Sequence, residues 1–201
     1  ELPNVFTVAG EDPQEQFFIK LREMCGGLGL LEVKNYHLLD RDSLTAKMQA
    51  TEAPIPLQNA LGDHNHLRNW LLPGLLKVLT ENQHHEYPQN IFEIGTIFSS
   101  APALETGVQE SSHWAVAVCH DQADFTQLKQ VLEAVFRLLG KEVVIKETIH
   151  PSFLPGRVGN IMLQGTAIGI IGEIHPQVLS NWNLAVPVVG MEMGVELLRK
   201  K

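Results

Sequence analysis

Residues 67–100 read LRNWLLPGLLKVLTENQHHEYPQNIFEIGTIFSS, and this stretch decides the fold. In its first half Leu71, Leu72, Leu75, Leu76 and Leu79 recur at three- and four-residue intervals, the spacing of one buried stripe on an amphipathic helix. Pro73 and Gly74 fall in the first turn, where a missing N–H has no helical bond to lose. The second half, residues 91–98, is predicted as a strand with Phe92, Ile94, Thr96 and Phe98 on one face and a glycine at position 95. A helix running into a strand frames either a reactive site or a packed one.

Upstream, residues 1–10 are predicted as an extended lead-in. Asp12-Pro13 opens a helix that carries Phe17, Phe18, Leu21 and Met24 on one stripe and stops at Gly26-Gly27, with Gly29 just beyond. Residues 31–38 alternate apolar and polar as a half-exposed strand does. Residues 40–50 read as a short helix capped by Asp40 or Asp42, residues 54–57 as extended and residues 62–65 as a turn.

Downstream, residues 99–112 are predicted as a polar loop and residues 114–119 as a buried strand, because that run is apolar throughout. Asp124 caps a helix built on Phe125, Leu128, Val131, Leu132, Val135, Phe136 and Leu139 and stopped by Gly140. Strands are predicted over 143–149, 159–163 and 167–174, the last two joined through Gln164-Gly165-Thr166. A short helix from His175-Pro176, a strand over 188–193 and a closing helix over 195–200 complete the pattern. The result is one α+β domain over residues 1–201, a mostly antiparallel sheet with helices on one face.

Composition narrows the function. Hydrophobic residues make up 44% and charged residues 19%, an ordinary globular balance. The formal net charge of -8, from 15 basic and 23 acidic residues, argues against a chain that grips nucleic acid by itself. No apolar run approaches the roughly 18 residues that span a bilayer. Cys25 and Cys119 have no metal or redox spacing and read as reduced core residues of a cytoplasmic protein. The start at Glu1-Leu2-Pro3-Asn4, without a methionine, reads as the edge of a longer chain.

Reactive constellations are sparse. His64 and His66, and the pair His84-His85, lack the converging third and fourth ligands that a metal needs, and read as exposed. His150 and His175 each precede proline and mark structural boundaries. Arg157, after the turn at Pro155-Gly156, either clamps a carboxylate or phosphate or pairs with Glu173, and the pairing is the expected role. Gly165, Gly169 and Gly172 fall among strands and make no phosphate loop. No serine–histidine–aspartate order or paired-carboxylate pattern stands out.

Three blocks carry a wider resemblance: EQFFIKLREMCGGLGLLEVKNYHLL (15–39), LRNWLLPGLLKVLTENQHHEYPQNIFEIGTIF (67–98) and HPSFLPGRVGNIMLQGTAIGIIGEIHPQVLSNWNL (150–184). In this order the chain resembles the catalytic-like domain of the phenylalanyl-tRNA synthetase β subunit, archaeal or eukaryotic type. The resemblance implies a class II synthetase fold, a largely antiparallel sheet with flanking helices. It also implies where catalytic residues would stand. Active class II members carry a helix and strand ending in proline, a strand with phenylalanine-arginine-x-glutamate, and a glycine-rich strand entering a helix that bears arginine.

Against those three motifs the chain departs at the expected proline, at both arginines and at the glutamate. The first corresponds to residues 11–38, with Asn35-Tyr36 where the proline is expected. The second corresponds to residues 92–101, with Ser99 in place of the arginine and Ala101 in place of the glutamate. The third corresponds to residues 191–198, with Leu197 in place of the arginine. Serine and leucine offer no bidentate cation for a phosphate, so the domain is expected to have no catalytic residue and no cofactor or metal site of its own.

The implied role is a scaffold that pairs with the catalytic α subunit through the first motif, in an (αβ)2 assembly. Phe17, Phe18, Leu21, Met24 and Tyr36 are the interface residues on that view. ATP, magnesium and tRNA belong to the whole complex, editing of misacylated tRNA is not expected here, and the isolated domain is expected to self-associate. The alternative is a free-standing synthetase paralogue holding a small ligand, with Arg68, Glu93 and Arg157 lining a residual pocket.

Overall fold

Asp12 and Pro13 open the first helix as their chemistry dictates. The Asp12 carboxylate accepts the Gln14 N–H at 2.8 Å, and Pro13 takes the first helical position. Helix α1 (Pro13–Gly27) ends as the chain passes through Leu28 into Gly29 at φ +77°, a left-handed conformation that glycine adopts without strain. The computed structural model describes residues 10–60 and 62–199; residues 1–9 of the predicted lead-in lie outside that range.

The first half continues with β1 (Leu31–Glu32), β2 (Leu38–Leu39), α2 (Arg41–Leu44), a 3-10 turn (Ala46–Met48), β3 (Ile55–Pro56), β4 (His66–Leu67), α3 (Leu72–Glu81), β5 (Gln89–Ser100) and β6 (Val108–Cys119). The second half adds α4 (Phe125–Leu138), β7 (Val144–Glu147), β8 (Phe153–Leu163), β9 (Thr166–Ile174), α5 (Pro176–Asn181), β10 (Val188–Gly194) and α6 (Glu196–Arg199). Among the described residues seven strands form one sheet in the order β1-β5-β6-β10-β9-β8-β7, antiparallel except for the β1–β5 pair. The expected α+β architecture with a mostly antiparallel sheet is what the chain adopts. Gln164 and Gly165, at φ +50° and +81°, make the two-residue turn between β8 and β9 that matches the right-handed strand twist.

The helices cover both faces of the sheet, which corrects the expectation of one. Phe92, Ile94, Trp114, Val116, Met191 and Met193 pack with Phe18, Leu21 and Cys25 of α1 and Leu128, Leu132 and Phe136 of α4. On the opposite face Ile91, Ala115, Ala117, Cys119 and Val188 pack with Leu71, Leu72, Leu75, Leu76 and Leu79 around α3 and with Val178 of α5. A strand buried on both sides has no polar face. The unbroken apolar run at 114–119 therefore already carried the signal for two helical layers.

Three local expectations are corrected. Residues 31–38 do not form one strand. Leu31-Glu32 pairs with Ile91-Phe92 in the main sheet, and the chain then leaves it, so that Leu38-Leu39 pairs with β4 in a separate three-stranded sheet, β2-β4-β3. Residues 99–112 are not a loop: β5 runs to Ser100 and β6 begins at Val108, leaving only 101–107 between them. Those outer strand ends are polar because the hairpin arm extends beyond the helical layers, with Gln109 and Glu110 exposed. Residues 40–50 split into α2, capped by Asp40, and the 3-10 turn. Among the described residues no helix is long and apolar enough to cross a membrane.

Candidate functional site

On the α3 face of the sheet, Glu93 of β5 and Glu192 of β10 both stand opposite Ala115 of β6. Two carboxylates thus occupy one row across three strands, and both are buried, at 0% and 5% exposure. A buried charge survives only where fixed donors replace its water, so the partners of each define the site.

Glu93 is held by Arg68 and Asn35. The Arg68 Nη1 donates to Glu93 Oε1 at 2.6 Å, and the Asn35 Nδ2 donates to Oε2 at 2.7 Å. Arg68 lies between β4 and α3 and is itself 2% exposed. Its Nε donates to the Thr96 carbonyl at 2.8 Å, its backbone N–H donates to the His37 carbonyl, and its carbonyl accepts the Phe98 N–H. Side chain and main chain are therefore both latched to β5. Gly95, two residues beyond Glu93 and so on the same face, leaves room for the guanidinium: a Cβ there would collide with Arg68 Nη2.

Glu192 is held by the start of α3. Its Oε2 accepts the N–H groups of Leu71 and Leu72 at 2.8 and 3.0 Å, and its Oε1 accepts the His113 Nδ1–H at 2.9 Å. The first amides of a helix have no partner within it and carry its positive end, so one carboxylate satisfies two amides and ties α3 to β10 and β6. Every charged group of the row is engaged within the chain. Chemically the arrangement clamps a helix onto a sheet.

Of the three residues expected to line a residual pocket, Arg68 and Glu93 meet and Arg157 stands apart. Arg157 is exposed and makes no ion pair among the described residues. The expected Arg157–Glu173 pair does not form, because residues 154–157 bulge out where the β8–β9 register slips opposite Glu173. Glu173 accepts the Phe125 N–H at 3.1 Å at the start of α4.

The motif positions are ordinary surroundings. Ser99 is half-buried opposite Gln109, the Ala101 N–H donates to the Gly107 carbonyl at 2.8 Å, and Leu197 packs half-buried on the α1–α4 core. Of the residues offered as interface, Phe18 and Leu21 are buried within the chain, Phe17 and Met24 are half-buried against the same core, and Tyr36 is 90% exposed. His64 contacts Lys77 through Nε2 at 3.0 Å, and the rings of His84 and His85 lie 4.1 Å apart. Among the described residues no three metal-ligating side chains converge. His175 caps α5 through Nδ1, which accepts the Gln177 N–H at 3.1 Å.

Sequence reasoning missed Glu192, Asn35 and His113 as members of this row. Glu192 did leave a signal, as a lone carboxylate within the apolar run VVGMEMG, because a charge in a doubly buried strand needs a dedicated partner. Asn35 left none, since its role depends on the chain leaving the sheet after Glu32.

Comparison with known proteins places this architecture. A family model described as the phenylalanyl tRNA synthetase beta chain CLM domain matches residues 1–195. The chain is 42% identical over 200 residues to the phenylalanine–tRNA ligase beta subunit of Pyrococcus furiosus, covering 98% of this chain and 36% of that protein. The beta subunits of Thermococcus sibiricus and Thermofilum pendens are 39% and 36% identical, over 96% and 94% of this chain and 35% and 34% of theirs. The chain thus spans about a third of the length of the curated relatives it matches. With nearly its whole length matched, the chain belongs to the phenylalanyl-tRNA synthetase beta chain family, as its CLM domain.

Proposed function

We propose that this chain is the class II synthetase-like, non-catalytic domain of a cytoplasmic phenylalanine–tRNA ligase β subunit, and that it works by pairing with the catalytic α subunit. The observation that carries the reading is the closed row on the α3 face. Arg68, Glu93, Asn35, Glu192 and His113 satisfy one another and the start of α3, where an active site would hold charges open to ATP and an amino acid. Uncharged Ser99 and Leu197 at the phosphate-clamp positions, with Ala101 in place of the motif's glutamate, support the same conclusion. ATP, magnesium and tRNA then act only on the whole complex.

The surface for α lies at the β1 edge. Among the described residues strand β1 pairs on one side only, with β5. Around it Ile19, Leu31 and Tyr36 are exposed at 42%, 67% and 90%, with Phe17 and Met24 half-buried beside them. Apolar surface of this kind marks contact with a partner. Sedimentation velocity of the chain mixed with purified α subunit tests the pairing. A complex that forms with the wild-type chain and is lost with a Leu31→Asp, Tyr36→Ser variant is expected, and two independent boundaries would sink the proposal.

A further inference from the structure

We infer that a cleft between the 3-10 turn and the start of α3 binds a small organic cation, an alkylammonium or guanidinium group. The cleft has a volume of about 300 Å3, and its lining includes Thr51, Glu52, Asn69, Trp70 and His150, a size at the lower end of small-molecule pockets. This inference does not depend on the pairing with an α subunit.

Three kinds of group meet there. The rings of Trp70 and His150 lie 5.9 Å apart, with Phe153 5.4 Å behind the imidazole, forming an aromatic wall. Glu52 is exposed, makes no ion pair among the described residues, and is the one charged side chain of the lining. Asn69 holds its Oδ1 buried and without a partner among the described residues. His150 is fixed by the Ser152 N–H, which donates to its Nδ1 at 3.2 Å, so a neutral ring carries its proton on Nε2.

The complement of this set is a positive group with N–H donors. An indole face attracts a cation through its quadrupole, most strongly where water is partly excluded. A carboxylate at the mouth adds to that attraction. An anion is disfavoured, because among the described residues no cationic side chain lines the cleft, and the chain carries a net charge of -8. The chain already holds one cation this way: Lys47 Nζ stands 4.6 Å from the Trp182 ring. The Trp70 cleft has the same kind of wall and, among the described residues, no lysine in its lining.

The test is a titration of the 201-residue chain with n-butylguanidinium, read from the tryptophan indole N–H resonances. Trp114 and Trp182 are buried, so the expected result is a saturable shift of Trp70 alone, with a midpoint of about 1 mM or below. Glu52→Gln, an exposed change that leaves the fold intact, weakens binding about ten-fold, and n-butanol, of similar size but neutral, gives no saturable shift. No saturation with n-butylguanidinium, an unchanged midpoint in Glu52→Gln, or equal binding of n-butanol would each overturn the inference.

Discussion

Gly95 exists in this sheet because Arg68 does: the guanidinium occupies the space in which a Cβ on residue 95 would stand. The collision is with a buried, ion-paired group that has nowhere to move, since its other nitrogens are engaged by Glu93 and Thr96. Gly95→Ala is therefore expected to destabilise the chain by about 2–4 kcal/mol, through overpacking and displacement of the pair. In an Arg68→Met background the same change is expected to fall below about 1 kcal/mol, because the colliding group is gone. Urea unfolding of the four variants measures the coupling, and additive effects would contradict the steric account.

Glu192 predicts a second coupling, between a helix start and a strand. Glu192→Ala leaves the Leu71 and Leu72 amides and the His113 imidazole without their acceptor in a buried setting, and is expected to lower stability by about 2–4 kcal/mol. Glu192→Gln keeps a side-chain oxygen and should recover about half of that loss. Hydrogen exchange locates the effect, with the amides of Leu71 and Leu72 losing protection before those of α4.

Acid should destabilise the fold in two steps. Burial holds the His150 imidazole below its ordinary value of 6.5, so the unfolded chain takes up that proton first. The contribution is complete above about pH 6.5 and is lost as pH falls towards the lowered folded value. Burial works to raise Asp40, but the Ser43 hydroxyl and amide outweigh it and hold the carboxyl below its ordinary 3.8, so its cap contribution is lost only as pH falls further. Urea midpoints at about pH 7.5 and about pH 5.5 should fall with pH, and His150→Phe should flatten that difference. A midpoint that rises on acidification in the wild type would contradict the assignment.

Both cysteines should be inert in the native state. Burial pushes the Cys25 thiol up to about 12 and the Cys119 thiol up to about 11, and neither side chain reaches the surface. Only a thiolate attacks an alkylating reagent. Iodoacetamide at mildly alkaline pH should leave the folded chain unmodified by mass spectrometry and add two groups after denaturation. Rapid native labelling at either position would show that its surroundings open.

What the sequence made legible follows from how local each signal was. Asp12-Pro13, Asp124 and His175-Pro176 begin helices where expected, because a cap acts within three residues. Gln164-Gly165 turns the β8–β9 hairpin for the same reason. The second helical layer was missed although residues 114–119 are apolar on both faces, and the break after Glu32 was missed because Asn35 leaves the sheet for a carboxylate 58 residues away. In the site, Arg68 and Glu93 were named as neighbours while Glu192 was not. Two of its three partners are backbone amides 121 and 120 residues distant, and a backbone donor carries no residue type to read. The β5–β6 arm was misread as loop because its outer ends lie beyond the helical layers and lose the apolar alternation that marks a strand.

The central claim is that the charged row on the α3 face is closed on itself and activates no amino acid. Phenylalanine-dependent ATP–pyrophosphate exchange by the purified chain tests it most directly. The account predicts no exchange above a no-enzyme blank, with activity appearing only when the α subunit is supplied. Exchange by the chain alone, dependent on phenylalanine and abolished by Glu93→Gln, would contradict it.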